Sequence, residues 1–164
     1  MLQLAEWQTY LAVQAGAAAT LTGLVFVAVS INLTRILSSP GLPGRAFEAL
    51  LQLLQVFFVA SFALLPHQTA GLLAGEILAL TLVSLIGQFV SQARYAKVRT
   101  SAHPRHWLYS RTIMGLTATL PLCACGGMLL MGYDGWIAAL VAGIVLSFIA
   151  GVMGAWVLLI EIMR

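Results

Sequence analysis

A few carboxylates and carboxamides stand inside apolar runs, and they are where this chain has chemistry to offer. Glu48, Gln52 and Gln55 follow Arg45 along one helical spacing, Glu76 opens the next apolar run, and Gln88 lies toward its far end. A carboxylate drawn away from water must be paired or neutralised, which makes it a candidate for binding a proton or a cation. Arg45 and Glu48 are three apart and can pair on one helix face. The glutamines need partners, so their face looks into protein or water. It is either an inter-helix hydrogen-bond cluster or a polar vestibule. His67 precedes Glu76 on the same side, so the two could form a proton or ion site; alternatively Glu76 snorkels to the interface.

Other chemistry lacks its residues. There is no H-E-x-x-H pattern and no nucleotide P-loop. The chain has a single aspartate, Asp134, in a Gly-Tyr-Asp-Gly turn, whereas an aspartyl dyad needs two. Cys123 and Cys125 are two apart, point to different faces of a helix, and read as buried thiols. His103 and His106 would need further ligands to hold a metal. The sequence therefore predicts a non-enzymatic protein with no cofactor and no metal centre.

The elements that must carry these residues are apolar helices. The 164 residues are 61% hydrophobic and only 8% charged, with mean hydropathy +0.99. That composition predicts an all-α membrane bundle forming one domain over residues 1–164. Five spans are expected, at about 11–33, 46–65, 70–90, 112–131 and 136–160. At ~1.5 Å per residue each is long enough to cross a ~30 Å hydrocarbon core. Gln52 and Gln55 make the second span the weakest, and a four-span alternative lays it in the interface. Pro40, Pro43 and their glycines break the chain after the first span, and Pro121 sits inside the fourth.

Lysine and arginine fall on alternate connections. Arg35 and Arg45 lie in the first, Arg94, Lys97, Arg99, Arg105 and Arg111 in the third (residues 91–111), and Arg164 in the C-terminal tail. The positive-inside rule then puts the N-terminus outside and the C-terminus in the cytoplasm, and it supports five spans over four. The helix of span three is expected to run on past the bilayer through Arg94 and Lys97. The basic loop flanks two spans, so its partner is a bilayer with anionic headgroups, not nucleic acid.

Two stripes of small residues bear on assembly. The fifth span carries Ala139, Gly143, Ser147, Gly151 and Ala155, each four apart, a ridge for helix packing within or between chains. The first span carries two interleaved heptad rows: Glu6, Val13, Thr20, Val27, Thr34, and Thr9, Gly16, Gly23, Ser30. Two readings are open for this face. The first span is a central helix packed by neighbours of its own subunit, with hydroxyls bonded back to helix carbonyls. Or it lines the axis of a homo-oligomer, with Glu6 as an outer acidic ring favouring cations.

Residues Ala17 to Leu33, with the Pro-Gly-x-Pro-Gly-Arg turn from Pro40 to Arg45, resemble a family of small bacterial membrane proteins, some named as modulators of a membrane-bound AAA protease. The resemblance covers about residues 17–48 and implies a bacterial inner membrane. The small-residue first span is also similar to that of the animal store-operated calcium channel, as an analogy for a pore-lining helix. The functional expectations are a homo-oligomeric pore lined by the first span, or a non-conducting scaffold that docks another membrane protein. A small transporter using Glu76 and the Gln52/Gln55 cluster is a third, disfavoured by the absence of a duplicated design.

Overall fold

A computed structural model describes residues 5–39, 41–98 and 106–163, and all its regular elements are helical. A 3-10 turn (Ala5–Trp7) leads into α1 (Gln8–Ile31), followed by the short α2 (Leu33–Ser38), α3 (Leu42–Ala63), α4 (Ala70–Val98), α5 (His106–Met131) and α6 (Trp136–Met163). Of these helices, α1, α3, α4, α5 and α6 are long and apolar enough to cross a membrane. Pro40, Arg99, His103, Arg105 and Arg164 lie outside the described residues, as do the side chains of His106 and Trp107.

The breaks follow local chemistry. α1 ends where the Asn32 side chain donates to the carbonyl of Ala28 at 2.9 Å, in competition with the helix ladder. Gly41 turns the chain into α3 at φ 96°, a left-handed angle that glycine adopts without strain, and Pro43 follows in the first turn of that helix. The Tyr95 ring packs so closely on Gly41 that a Cβ there would overlap it. α5 ends in a Schellman motif: Gly132 at φ 68° donates to Leu129 O, and Tyr133 N donates back to Met128 O at 3.0 Å. α4 continues two turns past the expected span end, through Arg94, as its sequence predicts.

α3, α4, α5 and α6 close a ring in which each packs on the next and α6 returns to α3. α3 and α5 occupy opposite corners and barely touch. α1 lies outside this ring against α3, grazing α6. The first span is therefore not the central helix of its own subunit. The centre is α3: half of its span window is buried, against 6% for α1. The second of the expected spans is long and apolar enough to cross a membrane, like the other four. Leu11 and Ala18 are the buried residues of α1, and they join Val59, Ala63, Leu73 and Leu140 in the main apolar core.

Large apolar side chains such as Phe26, Phe89, Met131 and Trp156 cover the outside, while Gln52, Gln55, Ser84 and Gln88 are buried. This polarity suits a bundle solvated by hydrocarbon, where exposed apolar surface costs little and polar groups seek protein. Arg35, Arg45, Arg94, Lys97 and Arg111 belong to the helix ends that meet at one end of the bundle, which we call the basic end.

Candidate functional site

The ionisable groups of the basic end pair across helices, not along them. Arg111 of α5 reaches Glu48 of α3, the diagonal partner: Nε donates to Oε2 at 3.0 Å, and the terminal nitrogen lies 2.8 Å from Oε1, close in charge but off the hydrogen-bond axis. Only 8% of the Arg111 side chain and 15% of the Glu48 side chain are exposed. The Arg111 guanidinium also stands 5.1 Å over the Tyr95 ring. Arg45 faces Glu161 of α6 at 3.7 Å. Glu48 still acts electrostatically on Arg45, one turn away, but each has a closer partner on another helix. Helix packing brings oppositely charged partners from α5 and α6, while Glu48 Oε1 keeps no hydrogen bond.

Below this ion-pair layer lies a belt of buried carboxamides and hydroxyls from all four ring helices. Gln55 donates to Ser147 Oγ at 3.4 Å, and Ser147 donates to the Ala118 carbonyl at 3.3 Å. Gln88 donates to Thr119 Oγ1 at 3.1 Å. Gly115 makes room for Gln88, since a Cβ there would overlap the amide oxygen. Side-chain oxygens of Gln52, Gln55 and Ser84 are buried without a partner. A buried acceptor left unpaired costs roughly 1–3 kcal/mol, so these atoms mark where the interior has hydrogen-bonding capacity to offer.

Between the two layers a cavity of about 330 Å³ opens among α3, α5 and α6. Arg45, Glu48, Gln52, Gln88 and Arg111 supply its polar wall. Ala49, Gly115, Ala150 and Gly154 leave the space, and Met114, Met153 and Val157 make the remainder apolar. Arg111, Glu161 and Ser84 belong to this constellation, although their sequence context does not single them out as site residues. Arg111 is hidden in a basic run; the one available signal is its position at the start of an apolar helix.

At the opposite end Glu76 accepts a hydrogen bond from Gln68 Nε2 at 2.5 Å, and the same amide nitrogen reaches Phe62 O at 3.2 Å. The donor to Glu76 is thus Gln68, while His67, the partner in the ion-site alternative, is exposed at φ 57°. Cys125 is buried, Cys123 half-buried, and both are free thiols. Among the described residues no three His, Cys, Asp or Glu side chains cluster to hold a metal.

The α6 ridge faces its own chain. A Cβ on Gly143 would overlap Leu122 of α5, and one on Gly151 would meet Leu53 of α3 at 2.8 Å. Ser147 hydrogen-bonds as above, while Ala139 and Ala155 are half-buried at the flanks. The α1 stripe does the reverse. Glu6, Thr9, Val13, Gly16, Thr20, Gly23, Val27, Ser30 and Thr34 are all exposed. At 3.6 residues per turn the stripe centres roughly 165° from the Leu11–Ala18 face that packs on α3. A Cβ added to Gly16 or Gly23 would have nothing within 4 Å. Thr20 donates to Gly16 O at 2.9 Å and Ser30 to Phe26 O at 2.8 Å. The stripe is not one unbroken helix face: Glu6 sits on the 3-10 turn and Thr34 beyond the Asn32 break, so the continuous part runs from Thr9 to Ser30.

No protein-family model matches the sequence, and no curated protein or solved structure matches it either.

Proposed function

We propose that this chain is an integral membrane protein of the bacterial inner membrane that assembles as a homo-oligomer around α1, with the α1 stripes lining an ion pore. One observation carries the reading: the small and hydroxylated face of α1 points away from the subunit's own bundle and is uncovered from Thr9 to Ser30. Helices in lipid meet through small residues that let backbones approach. The ring of α3 to α6 already closes on itself. Copies arranged with α1 innermost would bury the stripe and leave each ring facing lipid. Alternate basic connections support an N-terminus outside, so Glu6 would form an acidic ring at the outer mouth and favour cations.

A second reading uses the same face as a dry seam for another membrane protein. The hydroxyls of Thr20 and Ser30 bond back to their own helix, which suits a packed contact as well as a wet one. The resemblance of residues 17–48 to small proteins named as protease modulators accords with such a scaffold role.

Reconstitution separates the two. The pore reading expects a symmetric oligomer in lipid nanodiscs, cation flux in liposomes, and altered selectivity in Glu6→Gln. A monomer in lipid, or ion-tight liposomes containing oligomer, overturns it. Recovery of a distinct membrane partner, lost in Gly16→Leu, supports the scaffold.

A further inference from the structure

A groove runs along α3 where α1 and α4 flank it. Both helices pack on α3 and neither packs closely on the other, so a strip of α3 stays open. Phe47, 47% exposed, and Leu54, 36% exposed, form its floor. On the far side of Phe47 from the basic end the groove is a cavity of about 600 Å³, walled by Ala19, Thr22 and Phe26 of α1 and reaching Phe57. Thr22 is the one polar residue of that wall, and its hydroxyl is spent on the Ala18 carbonyl at 2.7 Å. Phe47 also borders a second cavity, of about 630 Å³, at the basic end. Leu37, Pro43 and Val90 wall this one, and Ser39, Ser91 and Arg94 give it a polar rim. From Phe47 to Phe57 α3 rises about 15 Å, half of a ~30 Å hydrocarbon core. The groove thus has the depth of one leaflet. Charge at its rim is uncompensated. Glu48 and Glu161 are the carboxylates of the basic end, and they face Arg111 and Arg45. Glu6, Glu76 and Asp134 belong to the other end. Arg35, Arg94 and Lys97 are exposed, and no carboxylate of a described residue pairs with them.

We propose that this groove holds one phospholipid with an anionic headgroup, in the leaflet at the basic end. One acyl chain lies over Phe47 and Leu54 beside α1, and the other meets bulk hydrocarbon. The phosphate accepts from the Arg94 guanidinium at the rim, a charge-assisted contact. Ser91 is no second donor, because its hydroxyl already donates to the Gly44 carbonyl at 3.3 Å. The excess of Arg35, Arg94 and Lys97 favours a headgroup of net negative charge over a zwitterionic one. Gly87 shapes the groove from the α4 side: a Cβ there would stand 3.2 Å from Leu51 and 3.3 Å from Phe47, so its absence lets α4 close on the floor. The inference rests on the five long helices crossing a membrane and is independent of the pore.

The test uses the full chain in detergent, with dioleoyl phosphatidylglycerol and dioleoyl phosphatidylcholine as probes of equal tails. Native mass spectrometry should show one phosphatidylglycerol held per subunit, retained roughly tenfold over phosphatidylcholine. Arg94→Gln should lower that ratio about fivefold, and Arg35→Gln, outside the groove wall, by less than about twofold. Ala19→Phe, which fills the slot beside α1, should weaken retention of both lipids roughly fivefold. All three positions are exposed, so the variants should melt with the parent. A photo-crosslinking amino acid in place of Leu54 should label lipid. Equal retention of the two lipids, equal losses in Arg94→Gln and Arg35→Gln, or full retention in Ala19→Phe overturns the proposal. Cross-links from position 54 only to a second copy or to another protein assign the groove to a polypeptide and overturn it as well. Lipid retention by an ion-tight monomer would leave this inference standing and the pore reading fallen.

Discussion

The diagonal pair of Glu48 and Arg111 lends itself to a quantitative test. At about 3 Å and an effective dielectric near 20, their attraction is on the order of 5 kcal/mol before desolvation is subtracted. Both side chains are largely buried, at 15% and 8% exposure. Removing one partner leaves the other charge inside the bundle. For Glu48→Leu the orphan is Arg111, next to the like-charged Arg45 across the cavity wall. Each single variant, Glu48→Leu or Arg111→Met, should therefore lose about 3–5 kcal/mol. The double variant removes both charges and replaces them with apolar groups of similar reach. It should return to within about 1 kcal/mol of the parent, because the desolvation cost vanishes with the attraction. Reversible unfolding in mixed micelles measures all four corners of the cycle. A coupling energy below about 1 kcal/mol, or a double variant as unstable as the summed singles, would refute the pairing across α3 and α5.

Three further outcomes follow from the same packing. Gly151→Val pushes a side chain into Leu53 and Ala49 of α3 and should cost about 1–3 kcal/mol, whereas Gly75→Val, with open space around it, should be nearly neutral by the same unfolding assay. Gly41→Ala combines a φ of 96° with overlap on the Tyr95 ring, so it should destabilise by more than about 1 kcal/mol and lower the melting temperature. For orientation, single cysteines on a background without Cys123 and Cys125 report through an impermeant thiol reagent in intact cells: Ser39→Cys should be shielded and Asp134→Cys labelled, and the opposite pattern overturns the proposed topology.

What was legible in the sequence was periodic and local. The five apolar runs, the glycine turn after Met131 and the α6 ridge each depend on neighbours a few residues away, and their geometry follows from helix spacing. The choice of partners was not legible. Glu48 has an arginine three residues earlier, yet it binds one from α5, because only packing decides which charge stands opposite. Glu76 takes Gln68 and not His67, because the left-handed angle at His67 sits in the turn while Gln68 folds back toward α4. Span one carried its stripe openly, but nothing in its spacing said whether that face meets its own bundle or lies outside it.

The contrast between α4 and α1 sharpens the meaning of that outward face. Both helices present a broad surface away from the ring. On α4 that surface is mostly bulky: Leu72, Leu82, Val83, Ile86 and Phe89 are all exposed, and its exposed glycines, Gly71 and Gly75, lie in the first two turns. On α1 the bulky Leu24 and Phe26 flank a strip in which exposed Val13 and Val27 alternate with Thr9, Gly16, Thr20, Gly23 and Ser30. The two faces differ along their middle, where α1 keeps Gly16, Thr20 and Gly23 and α4 carries Leu82, Val83 and Ile86. Hydrocarbon accommodates the α4 surface, while a helical glycine costs conformational stability and lets a second helix approach closely. On the proposed assembly around α1, Gly16→Leu together with Gly23→Leu should leave the subunit folded while abolishing the oligomer in lipid. An assembly unchanged by those two substitutions would show that the strip faces lipid after all.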